Sequence, residues 1–210
     1  MKELKKILQI LEKEYPDTNT ALIFKTPFQL LIATILSAQT TDTQVNKITP
    51  QLFKRFPGPK EFANAKIEEI QQLISSINFY KNKAANIKKL SEKLINDFNG
   101  KVPDVIDNLV TLPGVARKTA NVVLSQAFGK NQGIVVDTHV KRISQRLGLT
   151  KNTDPAKIEK DLMNIIPKKK WGVFPFWLIQ HGRKICKAKN PLCNQCVLAR
   201  FCPYYKIKNN

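Results

Sequence analysis

An all-α fold is predicted by three features of the chain. Apolar residues recur at helical spacing along most of its length, no stretch alternates apolar with polar residues as a half-buried strand does, and Pro, Gly and Thr punctuate the segments as helix starts and stops. Leu4, Ile7, Leu8, Leu11 and Tyr15 share one face of a first helix. Thr26-Pro27 is a cap followed by a first-turn proline; it opens a segment over 28–36 that is apolar nearly all round and so belongs in the centre of the core. Thr49-Pro50 is expected to break or kink the next helix, because proline lacks the backbone donor. Ile67, Ile70, Leu73, Ile74 and Ile77 mark another amphipathic face. Further helices are expected over 83–98, ended by Asn99-Gly100, and over 104–109, 117–128, 138–147, 155–166 and 171–185. No tandem repeat and no low-complexity linker divides the chain, so any domain division has to come from packing.

At 210 residues and 42% hydrophobic, the chain can bury a core without covalent staples. Its 35 Lys and Arg against 16 Asp and Glu give a net charge of +19, more than solubility requires, and nucleic acid is the first partner this suggests. A generally lysine-rich composition is the competing explanation, since the lysines are dispersed and Ile and Asn are also abundant. A membrane is disfavoured. The most apolar run, Leu30 to Leu36, is far short of the ~20 residues that span a bilayer, and Met1-Lys2-Glu3-Leu4-Lys5-Lys6 lacks the apolar stretch of a signal peptide. A soluble, cytoplasmic protein is expected, nucleoid-associated in a bacterium.

All four cysteines lie in Cys186-x6-Cys193-x2-Cys196-x5-Cys202. A disulfide framework would spread them to join distant segments, whereas these could close only small loops at one end, so metal ligation explains them better. Structural zinc commonly repeats a Cys-x2-Cys pair, and only Cys193 and Cys196 have that spacing. The wider arms suit a bulkier four-iron, four-sulfide cluster, with zinc and an unmetallated thiol patch as the alternatives.

Leu112-Pro113-Gly114-Val115-Ala116-Arg117-Lys118-Thr119-Ala120 lies between two helical patterns and reads as a helix-hairpin-helix. Leu112 and Val115 would anchor the turn while the backbone N–H groups of the bend and the next helix start face outward, an anion site suited to a DNA phosphate. Such contacts position DNA without reading its sequence. Lys118 falls in the first turn of the second helix, where the helix dipole and Arg117 oppose protonation of its amine. That favours a nucleophile, provided partial burial supplies most of the effect; a phosphate-contacting lysine is the other reading. Asp137 follows the apolar run Ile134-Val135-Val136 and precedes Thr138-His139-Val140, so locally it is an N-cap. A carboxylate fixed there could also stabilise cationic charge on a sugar or move a proton for a nearby lysine.

Together these residues resemble the endonuclease III family of DNA glycosylases, in the helix-hairpin-helix superfamily. The resemblance runs nearly end to end. It is carried by Leu36-Ser37-Ala38-Gln39-Thr40-Thr41-Asp42, by residues 112–124, by Val136-Asp137-Thr138-His139-Val140, by Trp177-Leu178-Ile179-Gln180-His181-Gly182-Arg183, and by the cysteine pattern. It implies a six-helix barrel domain over 22–134, packed on a second helical domain made of the N-terminal helix, 1–21, and the cluster-bearing segment, 135–210, with double-stranded DNA across the cleft between them.

The resemblance implies a glycosylase with AP lyase activity on oxidised pyrimidines: Lys118 attacks the sugar C1′ and forms a Schiff base, Asp137 is the acid, and β-elimination cuts 3′ to the abasic site. It assigns DNA contacts to Gly114, Val115, Ala116, Thr119, His139, Lys187 and Lys189, gap-filling to Gln39 and wedging to Phe79. It gives Cys186, Cys193, Cys196 and Cys202 one 4Fe–4S cluster of chiefly structural role, and a monomer is expected. The chain departs from the family at Ala116 and Asn78, where Gly is usual, and at Phe79, where Leu is common. A left-handed position at Ala116 would strain its methyl and weaken DNA binding.

Two other functions compete. A mismatch glycosylase of the superfamily lacks the Schiff-base lysine; the adenine-specific kind uses a glutamate near the position of Ala33, whereas 28–36 in this chain holds no acidic residue, and it has a further C-terminal domain for which a chain ending at Asn210 is expected to have no room. A non-catalytic binder would use hairpin, charge and cluster for adhesion alone.

Overall fold

The computed structural model describes residues 2–209, and every regular element among them is helical. Met1 and Asn210, the outer limits of the expected domains, lie outside the described residues. The elements in chain order are α1 (Lys2–Glu14), α2 (Pro27–Leu36), α3 (Asp42–Arg55), α4 (Pro59–Asn64), α5 (Ile67–Leu73), α6 (Tyr80–Phe98), α7 (Ile106–Leu109), α8 (Arg117–Phe128), α9 (Thr138–Arg146), α10 (Pro155–Ile165), α11 (Phe174–Lys184) and α12 (Pro203–Asn209).

The chain divides into two compact units, one over Thr20–Lys130 and the other formed by the chain through Asn19 with the chain from Asn131 onward. The expected boundaries stood at 21/22 and 134/135. The second junction falls earlier because Ile134 is buried in the core of the second unit, beside Val140 and Ile143.

In the Thr20–Lys130 unit, α2 is the centre: Leu30, Leu31, Ile32, Ala33 and Leu36 have no exposed surface, and α3, α6 and α8 pack around it. Its start is local chemistry, with Thr26 accepting the Gln29 N–H and Pro27 in the first turn. Helix α3 runs through Pro50 without a break, so of the break or kink expected there the break does not occur. The missing N–H removes one hydrogen bond among fourteen residues, and burial of Val45, Thr49 and Leu52 on one face holds the helix. Helix α4 was not foreseen: six residues are too few to display a period, although Gly58-Pro59 and the Glu61 carboxylate that accepts the Gly58 N–H were local signs of a start. It buries Phe62 edge-on to Phe28 and tilted against Phe56.

In the other unit, α1 and α9 pack on α11 around Leu11, Tyr15, Val140, Phe174, Trp177 and Leu178. Helix α11 starts at Phe174, three residues later than expected, because Pro175 suits only the first turn and Trp171 belongs to the preceding short helical turn, bonding Ile166 O through its indole. Helix α12, after Cys202-Pro203, was also not foreseen.

Candidate functional site

The hairpin is formed by α7 and α8. Leu112 and Val115 are buried, and the Val115 N–H closes the turn on Leu112 O at 3.1 Å. Gly114 has φ +77°, and a Cβ there would stand 3.1 Å from the Asn86 side chain, so both conformation and space select glycine. Ala116 caps α8 with φ −81° and ψ 164°, an extended conformation open to any residue. The strain expected of its methyl is therefore absent. Gly114, Ala116 and Lys118 are exposed and Thr119 half-buried.

Lys118 sits in the first turn of α8 and, among the described residues, has no hydrogen-bond or ion-pair partner. Lys118 is exposed at the helix start, without the partial burial on which the nucleophile reading is conditioned. Asp137 caps α9, its Oδ1 accepting the Val140 N–H at 2.8 Å. His139, two residues on, has Nδ1 3.1 Å from Arg142 Nη2. Lys118 and Asp137 belong to different units.

Gln39 and Phe79 do come together. They lie on the α2–α3 and α5–α6 connections, both with left-handed backbone, φ 57° and 59°. Among the described residues the other two non-glycine residues with positive φ are asparagines, which tolerate it; for Gln and Phe it costs about 1 kcal/mol or more. Phe79 is 63% exposed. Asn78 Nδ2 donates to Gln39 O at 2.5 Å, tying the two loops, and Gln44 Nε2 of α3 donates to Ser76 Oγ at 2.8 Å.

Beneath them is a residue that the sequence reading missed. Lys83 is buried, 6% exposed, and its ammonium donates to Leu36 O at 2.8 Å and Ala38 O at 2.6 Å, carbonyls at the end of α2 left without helical partners. Burial lowers its pKa from the ordinary lysine value. The available signal was its position: Lys83, Ile87, Leu90 and Leu94 fall on one helical face, and a lysine on an apolar face needs a partner.

The four cysteine sulfurs line one pocket together with Ile143, Leu147, His181, Ile185 and Leu198. Among the described residues no three His, Cys, Asp or Glu side chains converge as a single-ion site requires. Burial pushes the Cys196 thiol up to about 11, and proximity to Cys186, Cys202 and Cys193 adds to the rise. Four cysteines, all partly buried, crowd into this one pocket, and thiolate is the ligand that iron–sulfur clusters take, so the donor set fits a four-thiolate cluster.

Arginines of α9 supply what the spacing could not reveal. Arg142 donates to Cys186 O at 2.9 and 3.2 Å, and Arg146 to Cys186 Sγ at 3.2 Å, Lys187 O at 2.8 Å and Ala188 O at 3.1 Å. These bonds fix the loop that exposes Lys187 and Lys189. His181, kept neutral by burial with its pKa lowered to about 4, pairs with Tyr15 Oη at 2.8 Å and lies 3.5 Å from Cys196 Sγ. No helix among the described residues is long and apolar enough to cross a membrane.

The chain matches known proteins along nearly its whole length. Residues 32–168 match the model of the HhH-GPD superfamily base excision DNA repair proteins, and residues 186–202 that of the iron-sulfur binding domain of endonuclease III. The chain is 55% identical to an endonuclease III of Synechocystis over 197 residues, covering 94% of this chain and 90% of that one. It is 45% identical to an endonuclease III of Bacillus subtilis over 203 residues, 96% and 92% of the two chains. Among solved structures, a trapped covalent endonuclease III–DNA intermediate matches with a TM-score of 0.93 and 44% identity, covering 100% of this chain and 98% of that one. The cysteines accordingly fit a single 4Fe–4S cluster, and the chain belongs to the endonuclease III family of helix-hairpin-helix base-excision DNA repair proteins.

Proposed function

We propose that this protein is a DNA glycosylase with AP lyase activity that removes oxidised pyrimidines from double-stranded DNA, acts as a monomer, and uses Lys118 as its nucleophile. Lys118 Nζ attacks C1′ of the damaged nucleotide, the base leaves, and the opened sugar is held as a Schiff base; β-elimination then cuts the strand on the 3′ side. Asp137 assists proton removal from the lysine and stabilises cationic charge on the sugar. Because Lys118 is exposed in the free protein, water leaves the amine only when bound DNA covers it. Extruding the nucleotide costs about a few kcal/mol; Gln39 fills the vacated place and Phe79 wedges between neighbouring bases. Gly114, Val115, Ala116 and Thr119 of the hairpin, with His139, Lys187 and Lys189, hold the backbone. The cluster, when bound, supplies cross-linking that fixes 186–202 and keeps its lysines presented.

The observation that carries this reading is the full-length likeness to an enzyme captured in covalent linkage with DNA, combined with an exposed amine at the hairpin that has no partner among the described residues. Borohydride added with abasic-site DNA is expected to trap a covalent complex. Lys118→Ala should abolish trapping and retain DNA affinity, and Asp137→Asn, which can keep the cap while removing the charge, should slow it. A Lys118→Ala protein that still traps would overturn the assignment, and a native protein that binds but never traps would favour the non-catalytic binder.

A further inference from the structure

Gln39 and Phe79 lie on separate loops, yet four hydrogen bonds make those loops one body. The Lys83 ammonium holds Leu36 O and Ala38 O, the carbonyls on the approach to Gln39, while the Lys83 backbone N–H donates to Phe79 O at 3.1 Å. Lys83 thus touches both loops at once. Asn78 closes the other side by donating to the carbonyl of Gln39 itself. A residue with no side chain at position 78 could not make this bond. Both joined residues are already in the left-handed conformation, so the cost of reaching it is met before any ligand arrives.

We propose that Asn78 and Lys83 are positioning residues that lock Gln39 and Phe79 into a single preformed insertion element. The inference rests on the reading of these two as gap-filling and wedge residues. Neither Asn78 nor Lys83 touches the reacting atoms. Their effect comes through Gln39: with its carbonyl held, the side chain enters the vacated place without first ordering a loop, and a loose loop would surrender that advantage on every turnover.

The test is a double-mutant cycle between Asn78→Ala and Gln39→Ala on a thymine-glycol duplex. It reads the single-turnover rate of borohydride trapping and the fluorescence of a 2-aminopurine facing the lesion, with affinity for undamaged duplex as the control. Asn78 is exposed, so its alanine variant should fold normally. Loss of this hydrogen bond is expected to slow trapping by about fivefold and weaken the fluorescence change, with undamaged-DNA affinity unchanged. In the Gln39→Ala background the same substitution should have no further effect. Lys83→Met should act in the same direction; if it does not fold, the Asn78 cycle decides alone. A silent Asn78→Ala beside an impaired Gln39→Ala, or effects that multiply, overturns the inference and leaves the reading of Gln39 in place. If Gln39→Ala and Phe79→Ala are both silent, the reading itself fails and the inference with it.

Discussion

Gly182 lies where α11 packs against α9, and its substitution by alanine tests how the cluster loop is held. A Cβ at this position would lie 2.5 Å from His139 Nδ1, 2.9 Å from Arg142 Nη2 and 3.0 Å from Ile143 Cδ1. To reach ordinary contact at 3.4 Å the imidazole must retreat by roughly 0.9 Å. The Arg142 fork cannot absorb the shift, because the same Nη2 bonds Cys186 O at 2.9 Å and Gly182 O at 3.4 Å. Overpacking of this kind costs about 1–3 kcal/mol, and one charged hydrogen bond about 1.5–3 kcal/mol. Gly182→Ala is therefore expected to destabilise its unit by about 3 kcal/mol, a fall in Tm of roughly 6–12 °C for a chain of this size. The assay is thermal melting of the cluster-loaded protein by circular dichroism, with iron and acid-labile sulfide counted per chain. Cluster content should fall with stability, because the displaced arginine holds the Cys186 carbonyl. A variant that melts within about 2 °C of the native protein and keeps its full iron would refute both the close-packing argument and the role given to Arg142.

Two further outcomes are expected. Lys187→Ala and Lys189→Ala should each reduce the slope of log affinity against log salt by about 0.9, measured by fluorescence anisotropy, with little change in preference for damaged over undamaged DNA; an unchanged slope would remove these lysines from the interface. The Asp161 carboxyl is held below the ordinary carboxylate value by hydrogen bonds from Thr150 and then Asn152. A depressed folded value stabilises above the unfolded pKa of about 3.9 and is lost as pH falls through the folded one. Asp161→Ala should therefore melt below the native protein at pH 7, with the gap closing in acid; a gap independent of pH would mean that the carboxylate charge contributes nothing.

Elements that rest on short-range chemistry were readable in advance. Helix α8 begins and ends where the periodicity over 117–128 places it, α2 opens at its Thr-Pro cap, and the four thiols announce a cluster by crowding. Pro50 does not break α3 because a local rule met a global force: one lost hydrogen bond is outweighed by the burial of a helical face. Helices α4 and α12 escaped because six or seven residues give too little periodic signal.

What the sequence by itself determined is the helical class, the polyanion-seeking charge, the hairpin with its lysine, and the sulfur ligands, all of them consequences of residue type and spacing within a turn or two of helix. Only the tertiary structure decided which groups serve them: Lys83 on the end of α2, Asn78 on Gln39 across 39 positions, Arg146 on Cys186 across 40, and Tyr15 on His181 across 166. The tertiary structure also left Lys118 uncovered and Ala116 unstrained. The physical reason is that a buried cation or an orphan carbonyl must find a partner somewhere, and the sequence states the need while only the packed chain names the partner.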